Sequence, residues 1–395
     1  MAKKKKAAGI KSSDPNGFDA LIKDFTAEWG DIGGLGYTYA DPERIPTGIF
    51  ELDLALGGGI PMGNCIEIYG MESSCKTSVA LKIIANFQKL HPTKKCAFIS
   101  VENTFDSGWA RKLGVDMDKL YVIIPDYGEA AVDMVEDLLM SPECGIVAID
   151  SLAGLLTTRE LEKTASTRDV GGPAYLVTQL MRKVIGAQSR QKKRGNFPTF
   201  IGLNQLRSKI GSYGPNPEDT TGGRALKFFM SLRLRLYAKD EKDPKYHKFL
   251  AVRKLLNFSI KKHKFPITNT SGNDIKLCVI PYKGLKVGDV DDFKIICEYL
   301  MEHGILEKKG AKWLFNGEKE FSNLKDLKKM FDDDLEYATS IKGSIIETEK
   351  EKANREAEFA ETTGEDAEDD GDEEAPTKSS RKSKTKPDAE ESEEA

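Results

Sequence analysis

The chain has 395 residues, 39% of them hydrophobic and 31% charged, which suits a soluble protein of two or three domains with a full core. No run of about eighteen apolar residues occurs, so no membrane-spanning helix is expected. The formal charge of −4 conceals an asymmetry: residues 351–395 carry 17 acidic and 7 basic residues, a net of −10, leaving +6 on the 350 before them.

A basic body with an acidic tail suits a polyanionic partner and a tail that competes with it; a tail that only aids solubility is the alternative. The chain opens on a basic stretch, 1–17, with no apolar run behind it, which reads as a disordered arm and not a secretory signal. In FDALIKDFTAEWG, Phe18, Leu21, Ile22, Phe25 and Trp29 recur at helical spacing. That predicts an amphipathic helix, packed on its own domain or docked on a neighbouring subunit, with a Gly-rich linker to residue 44. From 45 to 282 the continuous apolar runs CIEIYG, KCAFISVE, GIVAIDS and TFIGLNQ alternate with helical patterns at 76–90, 107–113, 128–140 and 173–190. The alternation predicts an α/β fold with a mostly parallel sheet, in which ligands bind at the carboxyl ends of strands.

Residues 283–342 predict a small α+β domain. DDFKIICEYLMEHGIL is helical with Phe293, Ile296 and Leu300 on one stripe, AKWLFNGEKEF turns a hairpin at Asn316-Gly317, and NLKDLKKMF is a second helix. From 343 to 395 the chain is acidic and poor in apolar residues, and is read as disordered. The six cysteines, 65, 75, 96, 144, 278 and 297, include no C-x-x-C pair; this speaks against structural zinc and for reduced thiols in a cytosol.

Chemistry concentrates first in EIYGMESSCKTSVALKII, 67–84. It has the strand–loop–helix context of a phosphate-binding loop, G-x-x-x-x-G-K-[ST]. There, converging backbone N–H groups cradle phosphates, Lys76 supplies charge and Thr77 offers a hydroxyl to Mg²⁺. Cys75 stands where the second glycine is expected. If that position needs a left-handed backbone, a side chain there costs on the order of 1–2 kcal/mol. A thiol at a helix N-terminus beside Lys76 is also expected to be reactive, and protected by ATP. Two carboxylates follow at strand ends. Asp150 closes GIVAID in the form of a site that holds Mg²⁺, and Glu102 is placed to orient and deprotonate a water. Either can also be a plain cap of a strand-to-helix turn.

These blocks resemble the RecA family of homologous recombinases. The resemblance runs from about Pro46 to Phe265, carried in the family's order by TGIFELDLALGGGIPMGNCIEIYGMESSCKT, FISVENTFDSGWARKLGVD, VAIDSLAGLL, IGLNQLRSKIG and NPEDTTGGRALKF. It implies a RecA-type P-loop ATPase core, with ATP and Mg²⁺ as cofactors. Gly70, Met71, Glu72, Ser73, Ser74, Cys75, Lys76, Thr77 and Ser78 would bind ATP, with Thr77 and Asp150 at the metal and Glu102 as catalytic glutamate. Asp106 and Trp109 match the residues that bracket the adenine, where the family usually has tyrosine at the second. Gln205 resembles the sensor of the γ-phosphate.

The same resemblance places single-stranded DNA on two loops, one near 157–173 and one at 206–224. Thr178, Arg182, Arg207, Lys209, Tyr213, Gly222, Gly223 and Arg224 are the implied contacts, Tyr213 one place before the family's aromatic. Lys262 and Lys264 match lysines that reach the neighbouring subunit's ATP; as bare sequence they are also what a solvated strand edge carries. The helix at 18–30 takes the place of a polymerisation arm, and the acidic tail that of one thought to restrain duplex capture. The implied function is an ATP-dependent recombinase, a DNA-dependent ATPase forming a helical homo-oligomeric filament on single-stranded DNA, pairing it with double-stranded DNA in recombination and repair. Single-strand-binding and loader proteins are implied partners; a membrane is not. The implied setting is the cytoplasm of a bacterium, or of a host if phage-encoded, since phage relatives also accept a non-glycine residue before the lysine. Two rivals are a filament protein whose ATP turnover Cys75 has cost, and a hexameric helicase on the same core, which NPEDTTGGRALKF disfavours.

Overall fold

The computed structural model describes residues 17–29, 42–162, 172–208 and 218–363. The basic arm, Lys209, Tyr213 and residues 364–395 lie outside them. Helix α1 (Gly17–Trp29) comes first, and β1 (Arg44–Ile45) then pairs with β2 (Ile60–Pro61) around α2 (Phe50–Ala55). The core continues as β3 (Cys65–Gly70), α3 (Lys76–Leu90), β4 (Lys95–Ser100), α4 (Ser107–Lys112), β5 (Leu120–Ile123), α5 (Gly128–Met140), β6 (Cys144–Asp150) and α6 (Thr158–Glu162). It closes with α7 (Gly172–Lys192), β7 (Thr199–Ser208), β8 (Glu218–Thr220), α8 (Gly223–Phe229), β9 (Leu232–Lys242), β10 (Ala251–His263) and β11 (Ser271–Cys278).

The central sheet has the order β11-β10-β9-β3-β7-β6-β4-β5, with β8 added to β7. Strands β9 to β5 in that order are mutually parallel, while β8, β10 and β11 are antiparallel to their neighbours. The predicted mostly parallel sheet is therefore present, with an antiparallel extension. The central runs are continuously apolar because both faces are covered. Ile66, Ile68, Phe98, Ile146 and Ala148 pack on the α3 side with Val79, Ile83 and Phe87. Ala97, Ile99, Val147 and Ile149 pack on the other face with Val135, Val177 and Leu180. The order also makes a switch point, since the chain leaves β3 through α3 and crosses β7 and β6 to reach β4. Crevices at such points, outside the carboxyl ends of strands, are where this class of sheet binds ligands.

The region expected to form a small C-terminal domain contains α9 (Phe293–Glu302), a three-stranded sheet of β12 (Leu306–Lys309), β13 (Lys312–Phe315) and β14 (Lys319–Phe321), then α10 (Leu324–Asp333) and α11 (Leu335–Thr363). Asn316 and Gly317, at φ 52° and 70°, make the predicted turn between β13 and β14, and Asn323 caps α10 by accepting from the N–H groups of Lys325 and Asp326. Two readings need correction. The domain's core takes in Phe50 and Leu54 of α2, so it is not separate from the residues before 283. Order also runs past 342. Ile345 is buried against that core, His303 meets Glu349 at 2.9 Å and Lys352 meets Glu302 at 3.6 Å, contacts all made by the first part of a Glu/Lys/Ala-rich helix whose last residue is Thr363. The chain divides into two units at Ala353, and of the second, Asn354–Ala395, the described part is the end of α11.

Candidate functional site

Strand register assembles the site. Gly70 at the end of β3 lies level with Gln205 on β7, and Ser100 at the end of β4 lies level with Asp150 on β6. Glu102 follows β4 two residues on, so the candidate carboxylates, the candidate sensor Gln205 and the loop share one edge of the sheet. Gly70 must be glycine here, because a Cβ would sit 2.2 Å from the Leu236 carbonyl oxygen and 2.6 Å from Ser74 Oγ.

The loop has the expected form. Lys76 Nζ donates to the carbonyl oxygens of Gly70 (3.1 Å) and Met71 (2.6 Å), and Ser74 Oγ donates to Met71 O at 2.7 Å. Thr77 Oγ1 donates to Asp150 Oδ2 at 2.8 Å. Gln205 Nε2 donates to Glu102 Oε1 at 2.8 Å, and Ser151 Oγ donates to the same oxygen. Asp106 caps α4 by accepting from Trp109 N–H (2.9 Å), and Trp109 Nε1 donates to Ser78 Oγ at 3.1 Å. Asp106 and Trp109, the candidate base-bracketing pair, are thus tied to the start of α3. Trp109 also lines a cleft of about 260 Å³ together with Ser73–Ser78, Lys254, Leu277 and Val279.

Burial dominates the electrostatics. It raises the carboxyl of Asp150 above the usual range, with Glu102 adding to the rise and Thr77 and Lys76 opposing it. Burial also lowers the ammonium of Lys76, against the pull of Asp150 and Glu102. A divalent cation here would favour the ionised carboxylate and offset the desolvation cost. The donor set, a hydroxyl and a carboxylate, is the hard-oxygen kind that Mg²⁺ takes. Among the described residues no group of three His, Cys, Asp or Glu could form an all-protein metal cage.

Cys75 departs from one expectation and meets another. Its backbone is left-handed, at φ 67° and ψ 18°, so the cost of a side chain applies. Its thiol is not activated. Burial pushes it up to about 11, outweighing the help of Lys254 and Lys76. At pH 8 a thiol of that kind is ionised in only about one molecule in 10³. Alkylation of Cys75 in the folded protein is therefore expected to be slow with or without ATP, and to rise about tenfold per pH unit up to pH 10. Mass-spectrometric labelling of folded and denatured protein checks this; rapid labelling at pH 7 would contradict the raised thiol of the half-buried Cys75.

The DNA candidates converge where the structure describes them. Gly222 and Gly223 have φ 108° and 65°, and a Cβ on Gly222 would lie 2.8 Å from Val177 Cγ1. The start of α8, with exposed Arg224, therefore sits against α7, which carries Thr178 and exposed Arg182. The segment 206–224 is not all loop, since β8 returns antiparallel to β7, pairing Leu206 with Thr220 and Arg207 with Asp219. Lys262 and Lys264 do not line the cleft. Lys262 Nζ donates to the carbonyl oxygens of Lys227 (2.5 Å) and Phe228 (3.1 Å) at the end of α8, and Lys264 is exposed.

Several contributors escaped the sequence. Ser151 and Lys254 gave no signal. Glu67 did give one, as a charge inside an apolar strand. It is wholly buried, receives Arg233 Nε at 2.5 Å, and accepts from Asn204 Nδ2 at 2.9 Å.

A parallel sheet with a phosphate loop at its switch point, a Thr–Asp pair beside the lysine and a glutamate held by a glutamine two strands away define a P-loop ATPase with the RecA arrangement. Comparison with known sequences narrows the class. The family described as RecA N-terminal domain matches residues 23–269. A Protein RecA of Rhodospirillum centenum is 34% identical over 317 residues, 79% of this chain and 82% of that protein. That of Paenarthrobacter aurescens is 35% identical over 331 residues, 80% and 87% of the two chains. That of Aquifex pyrophilus is 45% identical over a shorter 195 residues, 49% and 54%. The chain belongs to the RecA family.

Proposed function

We propose that the protein is an ATP-dependent DNA recombinase that binds single-stranded DNA as a filament, pairs it with a homologous duplex and hydrolyses ATP to release the product. One observation supports this most directly: the amide of Gln205 holds the carboxylate of Glu102, and Gln205 lies on the strand that continues into the DNA-contacting segment. A group that touches both the catalytic carboxylate and that strand can transmit the state of the γ-phosphate.

In this reading the N–H groups of Gly70–Thr77 and the Lys76 ammonium bind and orient the phosphates. Trp109 and Asp106 place the base. Thr77 and Asp150 would hold Mg²⁺, which when bound supplies charge neutralisation at the phosphates. Glu102, positioned by Ser151 and Gln205, orients the attacking water and accepts its proton. Gln205 exchanges Glu102 for the γ-phosphate, and the shift at β7 reaches Thr220–Arg224 through the β7–β8 pairing. Thr178, Arg182 and Arg224 meet the DNA backbone, while base pairing between strands reads sequence. Lys262 and Lys264 act on the adjoining subunit's ATP, which couples binding to polymerisation.

Strand exchange with purified protein, homologous DNA, ATP and Mg²⁺ tests the proposal. Product is expected only with homology and nucleotide; DNA binding without pairing would refute it. A filament that no longer turns over ATP is the reading that Cys75 keeps open. Phosphate release stimulated by single-stranded DNA, measured for this protein and for Cys75→Gly, separates the two. Stimulation in both is expected, with the glycine variant the faster.

A further inference from the structure

The side chain of Asn204 makes an unusual set of contacts for one amide inside a sheet. Its Oδ1 accepts the backbone N–H of Gln205 at 2.9 Å. Its Nδ2 donates to Glu67 Oε1 at 2.9 Å and to the carbonyl oxygen of Thr221 at 2.8 Å. Three places are thereby joined through a residue with no solvent exposure. They are the sensor residue, the strand that ends in the phosphate loop, and the turn just before Gly222, Gly223 and Arg224.

The anchor beneath Asn204 is stiff. Glu67 is fully buried on β3, three residues before Gly70, and its second oxygen takes Arg233 Nε from the neighbouring strand β9. The Arg233 guanidinium also donates to Thr220 Oγ1 at 3.2 Å and lies 4.9 Å from the Tyr69 ring centre. Glu67 and Arg233 therefore grip the same turn from below, through Thr220 directly and through Thr221 by way of Asn204. A fixed ion pair, a single bridging amide and a turn of positive-φ glycines together make a contiguous route from nucleotide edge to DNA face.

We infer that Asn204 is a positioning residue that couples the γ-phosphate sensor to the Thr220–Arg224 turn, with the Glu67–Arg233 pair as its fixed base. The inference rests on the nucleotide and DNA roles proposed above for Gln205 and Gly222–Arg224, and assigns to that site the element that links its two halves. Asn204 touches neither ligand. It sets where the turn sits relative to Gln205, so its loss uncouples nucleotide from DNA without emptying either site.

The test compares the affinity of full-length protein for a fluorescent poly-dT oligonucleotide in ATP and in ADP, with ATP affinity without DNA measured alongside. Wild type is expected to bind DNA far more tightly in ATP. Asn204→Ala should lower that ATP-to-ADP ratio by tenfold or more, with DNA-free ATP affinity within about threefold of wild type. Thr220→Val removes the hydroxyl that accepts from Arg233 at the turn and should lower the ratio by about threefold; it decides the matter if Asn204→Ala does not fold. An unchanged ratio in the folded variant, or an equal loss of DNA-free ATP affinity, overturns the assignment, since a merely structural residue would leave the ratio alone. A wild type whose DNA affinity ignores the nucleotide would instead overturn the functional reading on which the inference stands.

Discussion

Glutamine in place of Glu102 is expected to lower DNA-stimulated ATP hydrolysis by roughly 10²–10⁴-fold, the range for loss of a positioned general base. The substitution is nearly isosteric, and an amide oxygen can still accept from Ser151 and Gln205. What is lost is the ability to take a proton from water. ATP-dependent DNA binding should survive, because Lys76, Thr77 and Asp150 are untouched. Filaments of the variant should therefore persist after ATP is supplied, visible as slow release of labelled oligonucleotide. Steady-state phosphate release gives the rate, and a value within threefold of wild type would remove Glu102 from the role of base.

The largest effect on stability is expected from Arg233→Ala. Glu67 would be left fully buried without its cation, a change that costs about 3–5 kcal/mol. Replacing both partners with apolar residues of similar volume, as in Glu67→Leu with Arg233→Met, should be far milder because no charge is stranded. Denaturant titration of the three proteins reads the difference as a shift in midpoint. A loss below about 1 kcal/mol for Arg233→Ala would mean that water reaches the carboxylate.

That the candidate site's residues would share one edge could be read from the chain, because they are local to strand ends. Gly70–Thr77, Glu102, Asp150 and Gln205 each follow a short apolar run, and parallel strands bring such positions together whatever the loops do. The partners that hold them were less visible. Ser151 acts on Glu102 across 49 positions of sequence, and Asn204 reaches Thr221 from the far side of a loop. Neither residue type nor spacing announces such contacts. The antiparallel arm β9–β10–β11 was also missed, although the alternating burial of SLRLRLYA carries the period-two pattern of a strand with one covered face. Composition misled at the C-terminus. Charge and low apolar content argue disorder, yet Tyr337, Ala338, Ile341, Ile345 and Ile346, apolar residues at helical phase, lay the start of that helix on a core.

Lys76 already occupies its own loop, with its ammonium on the carbonyl oxygens of Gly70 and Met71. A phosphate arriving there does not meet a free cation; it competes with two internal acceptors. The exchange trades bonds to two neutral carbonyls for charge-assisted bonds to a phosphate, so the contribution of this lysine to nucleotide affinity is a difference, smaller than its charge alone suggests. What the self-contact provides is shape. These bonds hold the loop's curvature, so on the proposed role the association rate of ATP should resemble that of a preformed cleft, with selectivity for nucleotide state appearing in the rate of departure.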